Sequence, residues 1–196
     1  MASKPIITSR GILSYPSLFA MKTNQQGKSR YETTLLLPLR STLTGKELVD
    51  YDRFIAELKA AVEGEIATKW PKRPTGLKLP LLDQGDAEGN SRGAGYVPGA
   101  YRISANTTKP IEVVGHDLRV LEPAQADEAY PGRWAKLVVV ASSYAVDTAR
   151  GVKLYLNGVQ LLEKGPRLAG APPASKVFAQ YDLPEETAEG DANQEW

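Results

Sequence analysis

The sequence predicts a mostly-β protein with α+β elements: a small barrel of short strands carrying one long helix. Three observations predict it. The first is a hairpin signal from Trp134 to Leu162, which reads WAKLVVVASSYAV, then DTARG, then VKLYLNGVQLL. Two runs rich in Val, Leu and Tyr flank a polar loop with Gly151, slightly longer than the tightest turns. The middle of the first run (Leu137, Val138, Val139, Val140) is apolar on both faces, so that strand is expected to be covered on both sides or nearly so. Gly158 interrupts the second run, which suggests a bulge or sharp bend. The second observation is a single amphipathic helix. The third is a set of further short strands with no βαβ repeat among them, a pattern of barrels rather than parallel sheets.

Taken in order, Ile6 to about Ser14 alternates as a strand, with Pro16 expected to end it. Met21 to Arg30 is a polar loop. In the strand Tyr31 to Pro38, Tyr31, Thr33, Leu35 and Leu37 share one face. Thr44 and Glu47 have the capping-box spacing T-x-x-E. Behind them Leu48, Tyr51, Ile55, Leu58, Val62 and Ile66 recur at helical spacing, and Trp70 continues the series. Gly64 costs this helix about 1 kcal/mol relative to Ala, so its last turns are expected to fray. Pro71 stops it. Residues 71–98 form a long Pro-, Gly- and charge-rich connection of the functional-loop or partly disordered kind. Ala100 to Asn106 and Ile111 to Val114 are short strands, and His116 to Leu121 extends or pairs with the latter. After Leu162 the chain becomes a Gly/Pro/Ala linker, and Val177 to Trp196 lacks periodicity and is expected to be disordered. One domain is therefore expected over residues 1–170, followed by a linker and tail over 171–196.

Composition excludes several function classes. There is no cysteine, so disulfides and thiolate metal sites are ruled out. The lone histidine, His116, cannot build a zinc site and reads as a surface residue. No apolar run approaches the roughly 20 residues of a membrane span, and the N-terminus lacks a secretion-signal core. A soluble, intracellular protein is expected. The net charge of +1 hides an asymmetry. Six acids (Asp182, Glu185, Glu186, Glu189, Asp191, Glu195) and no base lie in residues 177–196. Residues 1–176 thus hold 24 basic against 17 acidic side chains, a charge of +7. A basic body with an acidic tail is a pattern of nucleic-acid partners.

Enzyme motifs are thin. Gly27-Lys28-Ser29 ends like a phosphate-binding loop, but Lys22 stands where that motif needs glycine, and a strand rather than a helix follows. Asp83, Asp86 and Glu88 could hold a divalent cation in a metal-dependent nuclease, although they match no calcium loop and suit a solvated turn. No nucleophile–base set can be drawn with one histidine. No cofactor and no metal site are expected.

What remains is the chemistry of single-stranded DNA binding, a cationic groove along the backbone with aromatic rings as stacking faces. The body interleaves both. Lys28, Arg30 and Tyr31 cluster at one loop–strand junction, with Lys22 upstream. Tyr101 and Arg102 adjoin, with Lys109 following. Trp134 and Lys136 share a face of the hairpin's first run with Tyr144, and Lys153 shares one with Tyr155 on the return. Lys22, Lys28, Arg30, Arg102, Lys109, Lys136 and Lys153 are the candidate phosphate contacts. Tyr31, Tyr101, Trp134 and Tyr144 are the candidate stacking rings. A separate basic run (Lys69, Lys72, Arg73, Lys78) surrounds Trp70. The acidic tail ends in an aromatic, Trp196. An acidic peptide on a flexible tether of about 20 residues reaches an effective concentration near the millimolar range beside the groove and competes with DNA there. Its terminal ring can instead dock on partner proteins.

Several blocks together resemble the bacteriophage single-stranded DNA-binding proteins with an OB-fold and an acidic C-terminal tail. They are GILSYPSLFAMK (11–22), KSRYETTLLLP (28–38), the helix ending in KW at Trp70 and LPLLDQGD (79–86). PGAYRISANTTKPIEVV (98–114), AYPGRWAKLVVVASSYAV (129–146) and GVKLYLNGVQLLEKGPRLAG (151–170) complete them. The resemblance implies a five-stranded OB-fold barrel, sequence-nonspecific binding of single strands, and a role in phage DNA replication, recombination and repair in the host cytoplasm. It also implies homodimers, and tail contacts with replication proteins such as polymerase and helicase-primase. The competing readings are the nuclease above and a non-catalytic adaptor that binds only protein.

Overall fold

The computed structural model describes residues 4–86 and 95–168. Eight strands and one α-helix follow in the order β1 (Ile6–Ile7), β2 (Gly11–Thr23), β3 (Ser29–Leu36), α1 (Gly45–Lys69), β4 (Leu81–Asp83), β5 (Tyr101–Thr107), β6 (Glu112–Val114), β7 (Trp134–Val146) and β8 (Ala149–Leu161). Short 3-10 turns lie at Arg40–Thr42, Gln84–Asp86 and Pro123–Glu128.

Five strands close on themselves. β7 pairs antiparallel with β2, β2 with β3, and β3 with β5. β5 then pairs parallel with β8, and β8 returns antiparallel to β7. This ring is the five-stranded barrel that the resemblance implies. β1 adds to β7, β6 adds to β8, and β4 pairs with the start of β5.

The hairpin is the longest element pair, and its register shows why. Val138 faces Gly158 and Val139 faces Leu156, so Asn157 is extra. The bulge expected at Gly158 is present. It bends β8 enough to reach both β5 and β6. On β7, Ala135, Leu137, Val139 and Ala141 are buried, while Val138 and Val140 are half-covered. The turn is tighter than the sequence suggests. Only Asp147 and Thr148 lie between the strands, and Asp147 takes the left-handed φ of 51° that a two-residue turn demands. Gly151 is needed for another reason: a Cβ there would come within 2.3 Å of the Lys78 carbonyl oxygen, where the segment before β4 crosses β8.

Three further expectations change at the N-terminal half. Pro16 does not end the first strand. The chain breaks after Ile7, resumes at Gly11 and runs through Pro16 to Thr23. The register between β2 and β3 shifts between Ser14 and Ser17 and again before Lys22, and Tyr15 takes a φ of 49°. Pro16 is tolerated because it sits in this bulge, where no ladder amide is required. The segment expected to be a loop from Met21 is strand up to Thr23. At the helix, Thr44 is the N-cap but its hydroxyl makes no capping bond, and the Glu47 carboxylate instead receives Arg10. Nor do the last turns fray: α1 continues past Gly64 to Lys69, with Thr68 Oγ1 donating to the Gly64 carbonyl.

The buried stripe of α1 is Tyr51, Phe54, Leu58, Val62 and Ile66, and the helix lies on β7, β8 and β1. Phe54 and Leu58 are fully buried. Burial pushes the Tyr51 hydroxyl up to about 12. The return expected from His116 to Leu121 is present: Leu121 N–H donates to the Val113 carbonyl, and Val120 bridges Val114. No helix among the described residues is long and apolar enough to cross a membrane.

Candidate nucleic-acid interface

Paired residues in a sheet point to the same side, so the register alone places the candidate side chains. On β3, Tyr31, Thr33 and Leu35 face inward with Thr107, Ala105 and Ile103 of β5. Arg30, Glu32 and Thr34 therefore face outward, beside Asn106 and Ser104. Across the parallel pair, Asn106 meets Tyr155. Across the hairpin, Tyr155 meets Val140, Lys153 meets Ser142 and Gly151 meets Tyr144. One outward row thus runs Ser17, Glu32, Asn106, Tyr155, Val140 over all five barrel strands.

This face is concave at its β2–β3–β5 end. Tyr15, Lys22, Arg30, Glu32, Ser104 and Asn106 are among the residues lining a hollow of about 380 Å³. Arg30 Nε donates to Glu32 Oε2 at 2.6 Å, and Lys22 Nζ lies 3.7 Å from Glu32 Oε1. Thr34 Oγ1 and Ser104 Oγ are 2.8 Å apart. Tyr15, lifted by the bulge, is 51% exposed. Toward the hairpin, the Lys153 ammonium sits 4.4 Å from the centre of the Tyr155 ring, which is 38% exposed.

Five of the predicted residues meet on this face: Lys22, Arg30, Arg102, Lys153 and Tyr144. Arg102 shares the outward parity of Ser104 and Asn106, and its Nε is buried without a hydrogen bond among the described residues. Lys28 and Lys109 are exposed at one end of the sheet, Lys28 in the β2–β3 turn held by Asn24 Oδ1 and Lys109 just beyond β5. The remaining four lie elsewhere. Tyr31 faces inward beside Leu18, Phe19 and Ile111. Tyr101 packs on the core next to Leu58 and Val62 of α1. Trp134 lies under the Arg10 guanidinium, 4.1 Å from the ring centre. Lys136 Nζ is 2.9 Å from Asp50 Oδ2 of α1. Trp134 and Tyr144 do share a parity, but ten residues at about 3.3 Å each put them roughly 33 Å apart along β7.

Tyr15 and Tyr155 are absent from the predicted stacking set. Tyr155 carries a readable signal, a ring two residues from Lys153. Tyr15 carries only the following proline, which marks the bulge in hindsight.

Of the two acids in 79–86, Asp83 has a structural occupation. Asp83 Oδ1 accepts from Gly85 N–H at 2.6 Å and Gly99 N–H at 3.0 Å, which holds its carboxyl below the usual range. Buried Gln84 donates through Nε2 to the Leu37 and Tyr101 carbonyls and accepts from Val97 N–H. Asp86 is exposed, and Glu88 lies outside the described residues, as do all seven predicted tail residues from Asp182 to Trp196. His116 is exposed.

A family model described as Enterobacter phage Enc34, ssDNA-binding protein, matches residues 4–189. The chain belongs to this family. Among solved structures, the single-stranded DNA-binding protein from bacteriophage Enc34 in complex with ssDNA superposes with a TM-score of 0.66 at 19% identity, over 85% of this chain and 89% of that one. A second structure of the bacteriophage Enc34 single-stranded DNA-binding protein gives 0.67 at 19%, over 89% of each chain. Gp2.5, a single-stranded DNA-binding protein encoded by bacteriophage T7, gives 0.54 at 17%, over 97% of this chain and all of that one. At these identities the Enc34 and T7 proteins share the fold of this family member. No curated protein sequence matches the chain.

Proposed function

We propose that this member of the Enc34 family binds single-stranded DNA without sequence preference and without catalysis, on the outward face of the barrel. One observation supports the reading: strand register puts Lys22, Arg30, Arg102, Lys153 and Tyr155 at outward positions, and exposed Tyr15 lines the hollow beside Lys22 and Arg30. Lys22, Arg30, Arg102 and Lys153 take backbone phosphates, with Lys28 and Lys109 extending the path at one end. Tyr15, Tyr155 and Tyr144 offer their rings to bases. Stacking is sequence-tolerant because every base has a π-face. The solved complex of the Enc34 protein with ssDNA supports the ligand class.

Further parts of the proposal concern the tail and the setting. The acidic segment 177–196 competes for the same cationic face and recruits replication proteins through Trp196. The protein works as a homodimer on phage DNA in replication, recombination and repair, in the host cytoplasm.

A gel shift of the full chain with oligo-dT tests the core of this reading. Binding is expected at low salt, with log K falling by about 0.7 per log unit of salt for each phosphate neutralised. No shift at low salt favours the protein-only adaptor. Strands incubated with magnesium are expected to stay intact; cleavage would revive the nuclease. A chain ending at residue 176 is expected to bind more tightly, and equal affinity rejects the competing tail.

A further inference from the structure

Glu32 is a carboxylate in the middle of the face proposed for a polyanion. It touches both cations of the hollow, Arg30 at 2.6 Å and Lys22 at 3.7 Å, and its side chain is 23% exposed. A structural carboxylate would be expected to pair with cations the ligand does not use. This one pairs with those nearest Tyr15, Ser104 and Asn106 in the same hollow. Lys22 and Arg30 are also opposite each other in the β2–β3 register, so their head groups converge on one point.

We propose that Lys22, Arg30 and Glu32 form one phosphodiester-binding subsite, in which Glu32 is the resident anion that a backbone phosphate replaces. In the free protein the carboxylate neutralises Arg30 and holds its guanidinium over the hollow. Bound DNA supplies the same charge through a phosphate oxygen, and the Glu32 side chain swings to solvent or toward the Asn106 amide. The exchange costs affinity and keeps the free groove from collecting other anions. This inference rests on the single-strand reading of the face.

The test uses the full chain, Glu32→Gln, and a labelled oligo-dT of about 16 nucleotides, the upper end of a barrel's site size. Glu32→Gln is expected to bind about fivefold more tightly at low salt, the upper range for a part-exposed ion pair. Its salt slope is expected to be steeper by about 0.7, because in the native complex the displaced Glu32 carboxylate takes up a cation that offsets one released from the strand. Arg30→Gln should lose more affinity in the Glu32→Gln background than in the native one. Unchanged or weaker binding by folded Glu32→Gln overturns the subsite and makes Glu32 a residue that only positions Arg30. If that variant does not fold, the native chain gives the answer by NMR. The Arg30 Nε–H signal is expected to move when oligo-dT is added, and a signal that stays put overturns the exchange. Native chain that binds no oligo-dT at low salt removes the single-strand reading and the subsite together. Native binding with an indifferent Glu32→Gln removes the subsite alone.

Discussion

Tyr15 holds a backbone conformation that non-glycine residues seldom adopt, at a cost of order 1–3 kcal/mol. The surrounding bulge maintains it, and the result is a ring raised over the hollow beside Lys22 and Arg30. Tyr155 reaches the same face from β8 with its ring under Lys153. If each ring stacks on one base, Tyr15→Ala and Tyr155→Ala each weaken oligo-dT binding by about 1–3 kcal/mol, measured by fluorescence anisotropy. Trp134→Ala, with its indole occupied by Arg10, is expected to lower stability and leave the salt slope unchanged. At the far side of the barrel, Asp50 links α1 to β7. Burial pushes its carboxyl up, but hydrogen bonds from Arg53 and Lys136 outweigh this and hold it below the usual carboxylate range. The unfolded value is about 3.9. The contribution is therefore full above about pH 4 and is lost as pH falls through the folded value. Asp50→Asn should cost roughly 0.5–1 kcal/mol at neutral pH, and its stability should decline less steeply than the native chain's below pH 4 in acid titrations followed by circular dichroism.

At the scale of elements, the long connection after α1 is organised by one amide. Gln84, 1% exposed, ties the 3-10 turn after β4 to Leu37, Tyr101 and Val97. Gln84→Leu leaves the Leu37 carbonyl and Val97 N–H without these partners. The expected loss is about 2 kcal/mol or more, seen in urea as a lower midpoint with an unchanged m-value. The helix shows a different relation between pattern and packing. Its start and its period were readable, yet Phe54, fully buried like Leu58, falls one step off the series Tyr51, Ile55, Leu58. A stripe wider than one residue per turn admits both Phe54 and Ile55, and the barrel takes the former. Similarly, T-x-x-E marked the N-terminus correctly while the capping box itself did not form, because Arg10 draws the Glu47 carboxylate away. Phe54→Ala should cost about 3–5 kcal/mol in denaturant titration.

Across the whole molecule, the hairpin, its Gly158 bulge, the single helix and the small-barrel class were legible from local patterns and strand count. Which strands close the ring was not, since that depends on the parallel contact of β5 with β8, residues about 50 apart in the chain. The candidate face suffered from the same blindness to distance. Parity along β7 grouped Trp134 with Tyr144 correctly, but parity does not say how far apart two rings stand. Parity did carry a warning at Tyr31 and Tyr101, which share the phase of Leu35 and Ile103, but the adjacent basic residues outweighed it in the sequence. Basic residues fared better than rings because inward positions exclude them: Lys22, Arg30, Arg102 and Lys153 were found from charge alone.

β7 and β8 are staves shared by nearly every other strand: β1 and β2 lean on the first, β5 and β6 on the second. On a ribosome, the first 130 residues emerge with no partner for β1 and only one side of β2 engaged. The barrel must wait for the final third of its chain before any part of it can settle, and such late, distant pairing is slow. A fragment of residues 1–130 should show no cooperative melting transition, and a sharp one would mean that α1 and the β2–β3 ribbon stand on their own. A nascent chain of this protein therefore leaves the exit tunnel with its apolar staves uncovered and depends on rapid completion, or on a holdase, to avoid clumping.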